Sequence, residues 1–276
     1  MSETKILALC GKGGVGKTSV SALMVKLLAG RNGRKILAID ADPAVGLAMA
    51  LGIEVKKTVD DIRKGLISRI SRSEPQQSRD TLNLLDYEVF DALHERDGYA
   101  LLAIGRPEDE GCFCKVNNLL KDIIADLAGK FDVVLIDGEA GIEQINRRVM
   151  KTVDHLVLVS DTSVKGLGVA NTIAKVANEK KAVDFKSMGL VLNRVKDLAE
   201  VEDIKGRIGL ELYGWLFEDD LIRSFDFKGE PLTGIPENSQ TLAVVEQVLN
   251  KMEILPFSSP WKRERMEKDG DTLTGI

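Results

Sequence analysis

The chain has 276 residues, 44% of them hydrophobic, enough for one large α/β domain or two small ones with a sizeable core. A formal net charge of −5 gives no reason to expect broad binding to nucleic acid or to an anionic membrane surface. The odd count of three cysteines, a start (MSETKILAL) without a secretory signal and the lack of any membrane-length apolar run predict a cytoplasmic chain without a disulfide framework.

Residues 5–9 (KILAL) form a short apolar run suited to a buried strand. Behind them Val20, Leu23, Met24, Leu27 and Leu28 recur at helical spacing. Between the two lies Gly11-Lys12-Gly13-Gly14-Val15-Gly16-Lys17-Thr18, which fits GxxxxGK[ST] in the strand–turn–helix context that pattern needs. Glycines let backbone N–H groups close round phosphate oxygens, and the dipole of the following helix favours the same anion. Gly13, Gly14, Val15, Gly16, Lys17, Thr18 and Ser19 are the expected nucleotide cradle. Lys17 would reach the β- and γ-phosphates, and the Thr18 hydroxyl would ligate Mg²⁺.

Residues 35–39 (KILAI) read as a second strand, ending in Asp40-Ala41-Asp42-Pro43. From about 58 to 80 the chain is polar, and a helix and a connection without chemistry are expected. Residues 82–85 and 100–104 read as short strands flanking an acidic segment, 86–97. Val116, Leu119, Leu120, Ile123, Ile124 and Leu127 mark an amphipathic helix. Residues 132–136 (DVVLI) read as a buried strand ending at Asp137-Gly138. Further strands are expected at 155–160, 188–192 and 212–217, with helical stretches around 142–153, 166–179 and 199–209. This alternation predicts a single doubly wound, mostly parallel sheet with helices on both faces, spanning residues 1–254. Residues 255–276 read as a polar tail. In such a sheet ligands gather beyond the carboxyl ends of the strands, which would bring Asp42, Asp137 and Asn193 near the glycine loop.

An ordinary phosphate loop does not need the lysine that opens KGGVGKT. The string resembles the deviant P-loop of the dimeric ATPases that include the nitrogenase iron protein, the arsenite-pump ATPase and the MinD/ParA group. The resemblance implies a homodimer in which Lys12 crosses to the partner's nucleotide, much as an arginine finger does. It implies that Asp42 positions the attacking water and accepts its proton, that Asp40 shares the Mg²⁺ shell, and that Asp137 is the Walker B carboxylate. Gly138 and Gly141 would let a second switch respond to the γ-phosphate. Asn193, in VLNRV, resembles the family's adenine-reading asparagine. A guanine site would want Asn-Lys-x-Asp, and Asp197 comes one residue too late, which favours ATP. Phe217 stands where many relatives have a proline bordering the base.

Cys112-Phe113-Cys114 precedes the helix that begins near Val116. Two thiols one residue apart can face one ion, and a helix N-terminus lowers their pKa, but two ligands do not fill a tetrahedral site. In a two-fold dimer the motif is presented twice. With Asp-x-Asp-Pro at the first switch and Asp-Gly-x-x-Gly-Ile-Glu at the second, the pair resembles the CooC type of ATPase, which matures nickel-containing carbon monoxide dehydrogenase. The resemblance implies Ni²⁺ or Zn²⁺ held between protomers by Cys112 and Cys114 and delivered to a client metalloenzyme such as carbon monoxide dehydrogenase.

Thiolate ligation does not select nickel, and it suits Zn²⁺ or an iron–sulfur cluster at least as well. A redox ATPase resembling the nitrogenase iron protein is therefore one alternative, although residues 141–149 (GIEQINRRV) contain no second cysteine. A positioning ATPase of the MinD/ParA kind that binds membrane or DNA is another. Residues 260–268 (PWKRERMEK) mix charges of both signs, unlike a basic amphipathic membrane helix. Cys10, at a buried strand end, reads as structural, and His94 and His155 lack ligand spacing.

Overall fold

The computed structural model describes residues 3–30, 33–71, 78–106, 114–139, 141, 149–150, 152–180 and 184–255. Its strands are β1 (Lys5–Cys10), β2 (Ile36–Asp40), β3 (His94–Arg96), β4 (Tyr99–Ala103), β5 (Val133–Asp137), β6 (Thr152–Ser160), β7 (Asp184–Val195) and β8 (Leu212–Phe217). They form one sheet in the order β3-β4-β2-β5-β1-β6-β7-β8, parallel throughout except for the β3–β4 pair. Every residue of β2 and β5 is buried, which is why both read as unbroken apolar runs rather than as alternating ones. The chain leaves β1 toward β2 and leaves β6 toward β7 on the other side, so a crevice opens at the carboxyl ends of these two neighbours.

The helices are α1 (Lys17–Ala29), α2 (Gly46–Ala50), α3 (Val59–Ser71), α4 (Ser78–Asp91), α5 (Cys114–Ala128), α6 (Val164–Lys180), α7 (Leu198–Arg207), α8 (Asp220–Lys228) and α9 (Gln240–Lys251). They cover both faces of the sheet. One core joins α3, α4, α5, α6 and α7 through residues such as Ile62, Leu85, Leu120, Ala170 and Val201. The other joins α1, α2 and α9 through Leu23, Met24, Leu47, Leu242 and Leu249. Helix α1 buries Val20, Ser21, Ala22, Leu23, Met24 and Val25 in succession, so it is enclosed on most sides and the loop before it stands on a rigid base. Among the described residues no helix is long and apolar enough to cross a membrane.

The doubly wound architecture agrees with the sequence pattern, but three local expectations do not hold. Residues 82–85 are not a strand; they lie inside α4, where Leu85 and Val89 face the core four residues apart. The acidic stretch after them is the end of α4 followed by the antiparallel edge strand β3. Thr152 and Val153 open β6 instead of ending a helix, and residues 142–148 of that expected helix lie outside the described residues. Helices α8 and α9 were not expected from periodicity, and residues 256–276 lie outside the description.

Candidate nucleotide site

The glycine loop leaves β1 and turns into α1 under tight steric limits. Gly11 has φ 155, and a Cβ there would lie 2.1 Å from the Val159 carbonyl oxygen of β6. Gly16 has φ 91, and its Cβ would lie 2.2 Å from the Asn193 side-chain nitrogen. Only glycine fits either position. Lys17 is buried at the start of α1, and its Nζ donates to the Lys12 carbonyl at 3.2 Å. The half-buried Lys12 side chain has no hydrogen bond or ion pair among the described residues.

Beside the loop stand two carboxylates on adjacent strand ends. Asp40 of β2 and Asp137 of β5 are direct register partners, and both are fully buried. Asp137 accepts from the Thr18 hydroxyl on one oxygen and the Ser21 hydroxyl on the other, each at 2.8 Å. Burial pushes its carboxyl up to about 6; the two hydroxyls and the Lys17 charge oppose this, and Asp42 adds repulsion. Asp40 accepts from the Ala48 N–H at 3.1 Å and the Asp42 N–H at 3.2 Å. Burial, with repulsion from Asp137, pushes its carboxyl up to about 7 against those amides. These are hard oxygen donors that form no ion pair among the described residues, which fits a small dication. Mg²⁺ would be held by Thr18, with Asp137 behind it and Asp40 alongside, and when bound would neutralise phosphate charge. No group of three or more His, Cys, Asp or Glu among the described residues is arranged to hold a metal ion, and Mg²⁺ does not need one because phosphates and water complete its shell.

The turn after β2 carries Asp42. Its Oδ1 accepts from the Ala44 N–H at 2.8 Å, and its carbonyl accepts from the Val45 N–H at 3.0 Å. The chain then passes Thr18, because a Cβ on Gly46 would sit 3.6 Å from Thr18 Cγ2. The expected switch aspartates, the loop and the Walker-type carboxylate are therefore gathered at one edge of the sheet.

Asn193 lies within β7 rather than beyond it, just before Arg194, whose φ of 58 accompanies a register break with β8. Its Nδ2 donates to the Val15 carbonyl at 2.8 Å, leaving Oδ1 and a second N–H for the edge of a base. At the end of β8, the strand that pairs with β7, opens a cleft of about 350 Å³ lined by Phe217, Glu218, Asp219, Ser239, Gln240 and Thr241. Two nearby carboxylates are already engaged. Asp197 caps α7 by accepting from the Glu200 N–H, and Asp219 caps α8 at the Leu221 N–H and accepts from the Thr241 hydroxyl.

The sequence reading did not include Ser21 or Gly46. Ser21 follows Thr18 by three residues and so shares its helix face, a signal that was available. Gly46 touches Thr18 only because of the fold. Cys10 is buried at the end of β1. His155 is hydrogen-bonded to Ser187 within the sheet, far along the strand from the loop. Cys114 opens α5, but Cys112 and both thiols lie outside what is described.

The sequence profile of the CobQ/CobB/MinD/ParA nucleotide-binding domain matches residues 6–232. The chain belongs to this family. An uncharacterized ATP-binding protein of Methanocaldococcus jannaschii is 41% identical over 249 residues, covering 90% of this chain and 98% of that one. The carbon monoxide dehydrogenase accessory protein CooC of Rhodospirillum rubrum is 28% identical over 233 residues, 81% of this chain and 87% of its own. Among solved structures, the septum site-determining protein MinD of Pyrococcus horikoshii, complexed with Mg-ADP, superposes with a TM-score of 0.66 at 22% identity, covering 91% of this chain and 96% of that one. The α/β P-loop fold expected from the deviant loop is thus the observed one, and the chain is an ATPase of the CobQ/CobB/MinD/ParA family.

Proposed function

We propose that this ATPase is a cytoplasmic metallochaperone. Two copies close face to face on ATP and Mg²⁺, Lys12 of each reaches the other's phosphates, and Asp42 orients the attacking water. Cys112 and Cys114 of both copies hold a cargo ion, Ni²⁺ or Zn²⁺, for delivery to an enzyme of the carbon monoxide dehydrogenase type. The observation that carries the reading is the pairing of a phosphate-loop Lys12, without a side-chain partner among the described residues, with a Cys-x-Cys sequence where α5 begins. The switch strand and β4 support it. Ile104 N–H donates to the Asp40 carbonyl at 2.9 Å, so the chain leaves β4 beside the switch aspartates on its way to Cys112 and α5. A nucleotide-driven shift at Asp40 would therefore be felt at Ile104, from which the sequence runs on to the cysteine pair. Similarity to CooC is consistent with such cargo.

The test is to titrate Ni²⁺ and Zn²⁺ into the reduced protein and count bound ions. About one ion per two chains is expected, lost on joint Cys112→Ala and Cys114→Ala substitution. Unchanged binding in that variant would defeat the metal part. Iron and sulfide at about four each per two chains after anaerobic purification would instead favour a redox ATPase. A second reading, a positioning ATPase, is favoured by the likeness to MinD over nearly the whole chain. ATP-dependent co-sedimentation with anionic vesicles or with DNA would select it.

A further inference from the structure

The turn that carries Asp42 holds a backbone conformation its own sequence resists. Val45 has φ 54 and ψ 41, in the left-handed region, where a β-branched side chain is least tolerated. A glycine lies next to it, yet Gly46 does not take the left-handed conformation. A Cβ on Gly46 would meet Thr18 Cγ2 at 3.6 Å, an ordinary contact, so packing on Thr18 does not itself push the left-handed position from the glycine onto the valine.

Something must hold Val45 there. Its half-buried side chain packs against the core that surrounds α1. Its N–H donates to the Asp42 carbonyl, and Ala44 N–H donates to the Asp42 carboxylate, so the turn is closed around Asp42 from both ends. Release of the valine would let residues 42–46 relax, freeing Asp42 and lifting Gly46 from Thr18.

We propose that Val45 is a positioning residue for ATP hydrolysis: packing of its side chain pins a left-handed backbone, and this clamps the turn that aims Asp42 and seats Gly46 on Thr18. The inference rests on the reading of Asp42 as the group that orients the attacking water. Strain of this kind is retained where the surrounding structure over-determines it, commonly at switches.

Val45→Gly tests it, because glycine accepts the backbone but gives up the packing that holds it. The kcat for ATP hydrolysis should fall about tenfold or more with KM changed less than about twofold, since the phosphates are bound by a separate loop. Val45→Ile keeps the packing and should remain within about twofold of the parent protein. In the Asp42→Asn background, Val45→Gly should add no further loss, as expected of residues acting as one unit. Should the glycine variant melt below the assay temperature, Val45→Ala, which also gives up most of the packing, is measured in the same way. Normal kcat in the Val45 variants with an inactive Asp42→Asn overturns the role of Val45 alone. Normal hydrolysis by Asp42→Asn overturns the reading beneath it, and the role of Val45 with it. A loss that falls equally on KM, or that adds fully to Asp42→Asn, would mark Val45 as merely structural and also overturn the proposal.

Discussion

Asp137 and Asp154 lie on the two strands that flank β1, both buried, and their carboxyls are shifted in opposite directions. Asp154 stands near the amino end of β6. Burial alone would raise its pKa, but Lys186 Nζ at 2.6 Å and the Ile6 N–H at 2.7 Å hold it below the usual carboxylate range, helped by Lys5. Asp137 stands at the carboxyl end of β5, where its side-chain partners among the described residues are the Thr18 and Ser21 hydroxyls, and burial holds it up at about 6 against them and the Lys17 charge. At the amino edge the chain provides its own countercharge. At the carboxyl edge the two carboxylates and Lys12 form no ion pair among the described residues, and the Lys17 charge only partly offsets the burial of Asp137. The same residue type is thus a rivet at one end of the sheet and part of a binding site at the other.

The largest effects should come from the two lysines of the carboxyl edge. Lys17→Ala should weaken ATP binding by about a hundredfold or more, measured by calorimetry, because it removes the buried cation facing the phosphates. Lys12→Gln should leave binding within about threefold yet lower kcat by about a hundredfold or more, the scale of a charge delivered only to the transition state. The control at the other edge is Lys186→Ala, which should move neither quantity. If Lys12→Gln hydrolyses normally, a lysine acting across a dimer is wrong. If Lys186→Ala alters hydrolysis, the division between the two edges fails.

Much of the carboxyl edge could be read from contiguous sequence. The loop 11–18 and the strand-then-Asp137 pattern are local signals, each complete within about ten residues. The central strands β2 and β5 followed from burial on both faces, which leaves no polar alternation to misread. Residues 82–85 failed for a physical reason: so short an apolar run fits a strand and one turn of helix equally well, and only packing on α5 decides. The cleft at the end of β8 was legible only at Phe217, because it joins residues 216–221 with 239–244, from separate elements. Val45 could not be found at all. Sequence rules place glycine or asparagine in the left-handed region, and here the glycine is one residue away.

A middle-sized effect is expected at Asn193, which ties the site together without carrying charge. Asn193→Ala removes the hydrogen bond to the Val15 carbonyl and the amide read as the adenine contact. ATP affinity should fall about tenfold, as expected for a hydrogen bond or two lost at a buried site. Preference for ATP over GTP should narrow as well, measured by competition for binding. Unchanged preference would move base recognition to the backbone of residues 217–219.

The smallest effects bear most directly on the contrast between the two aspartates. A carboxyl whose pKa is raised by folding contributes stability that is present below the unfolded value, about 4, and lost as pH rises through the folded one. Asp137, at about 6, and Asp40, at about 7, therefore make the nucleotide-free protein less stable as pH rises from about 4 to 7. Asp154 is the reverse: its contribution is complete above the ordinary carboxylate range and is lost as pH falls below it. Asp137→Asn should thus raise the nucleotide-free melting temperature by about 2–5 °C near pH 8, and the gain should shrink toward about pH 5. Asp154→Asn should lower it by a similar amount at both pH values, since its carboxylate is ionised and paired throughout that window. Mg²⁺ with ADP should reverse the ranking for Asp137→Asn alone, because the bound charges then favour the carboxylate that the variant lacks. If both substitutions destabilise equally near pH 8 without nucleotide, Asp137 is as well compensated as Asp154, and its strand end is not held in reserve for a ligand.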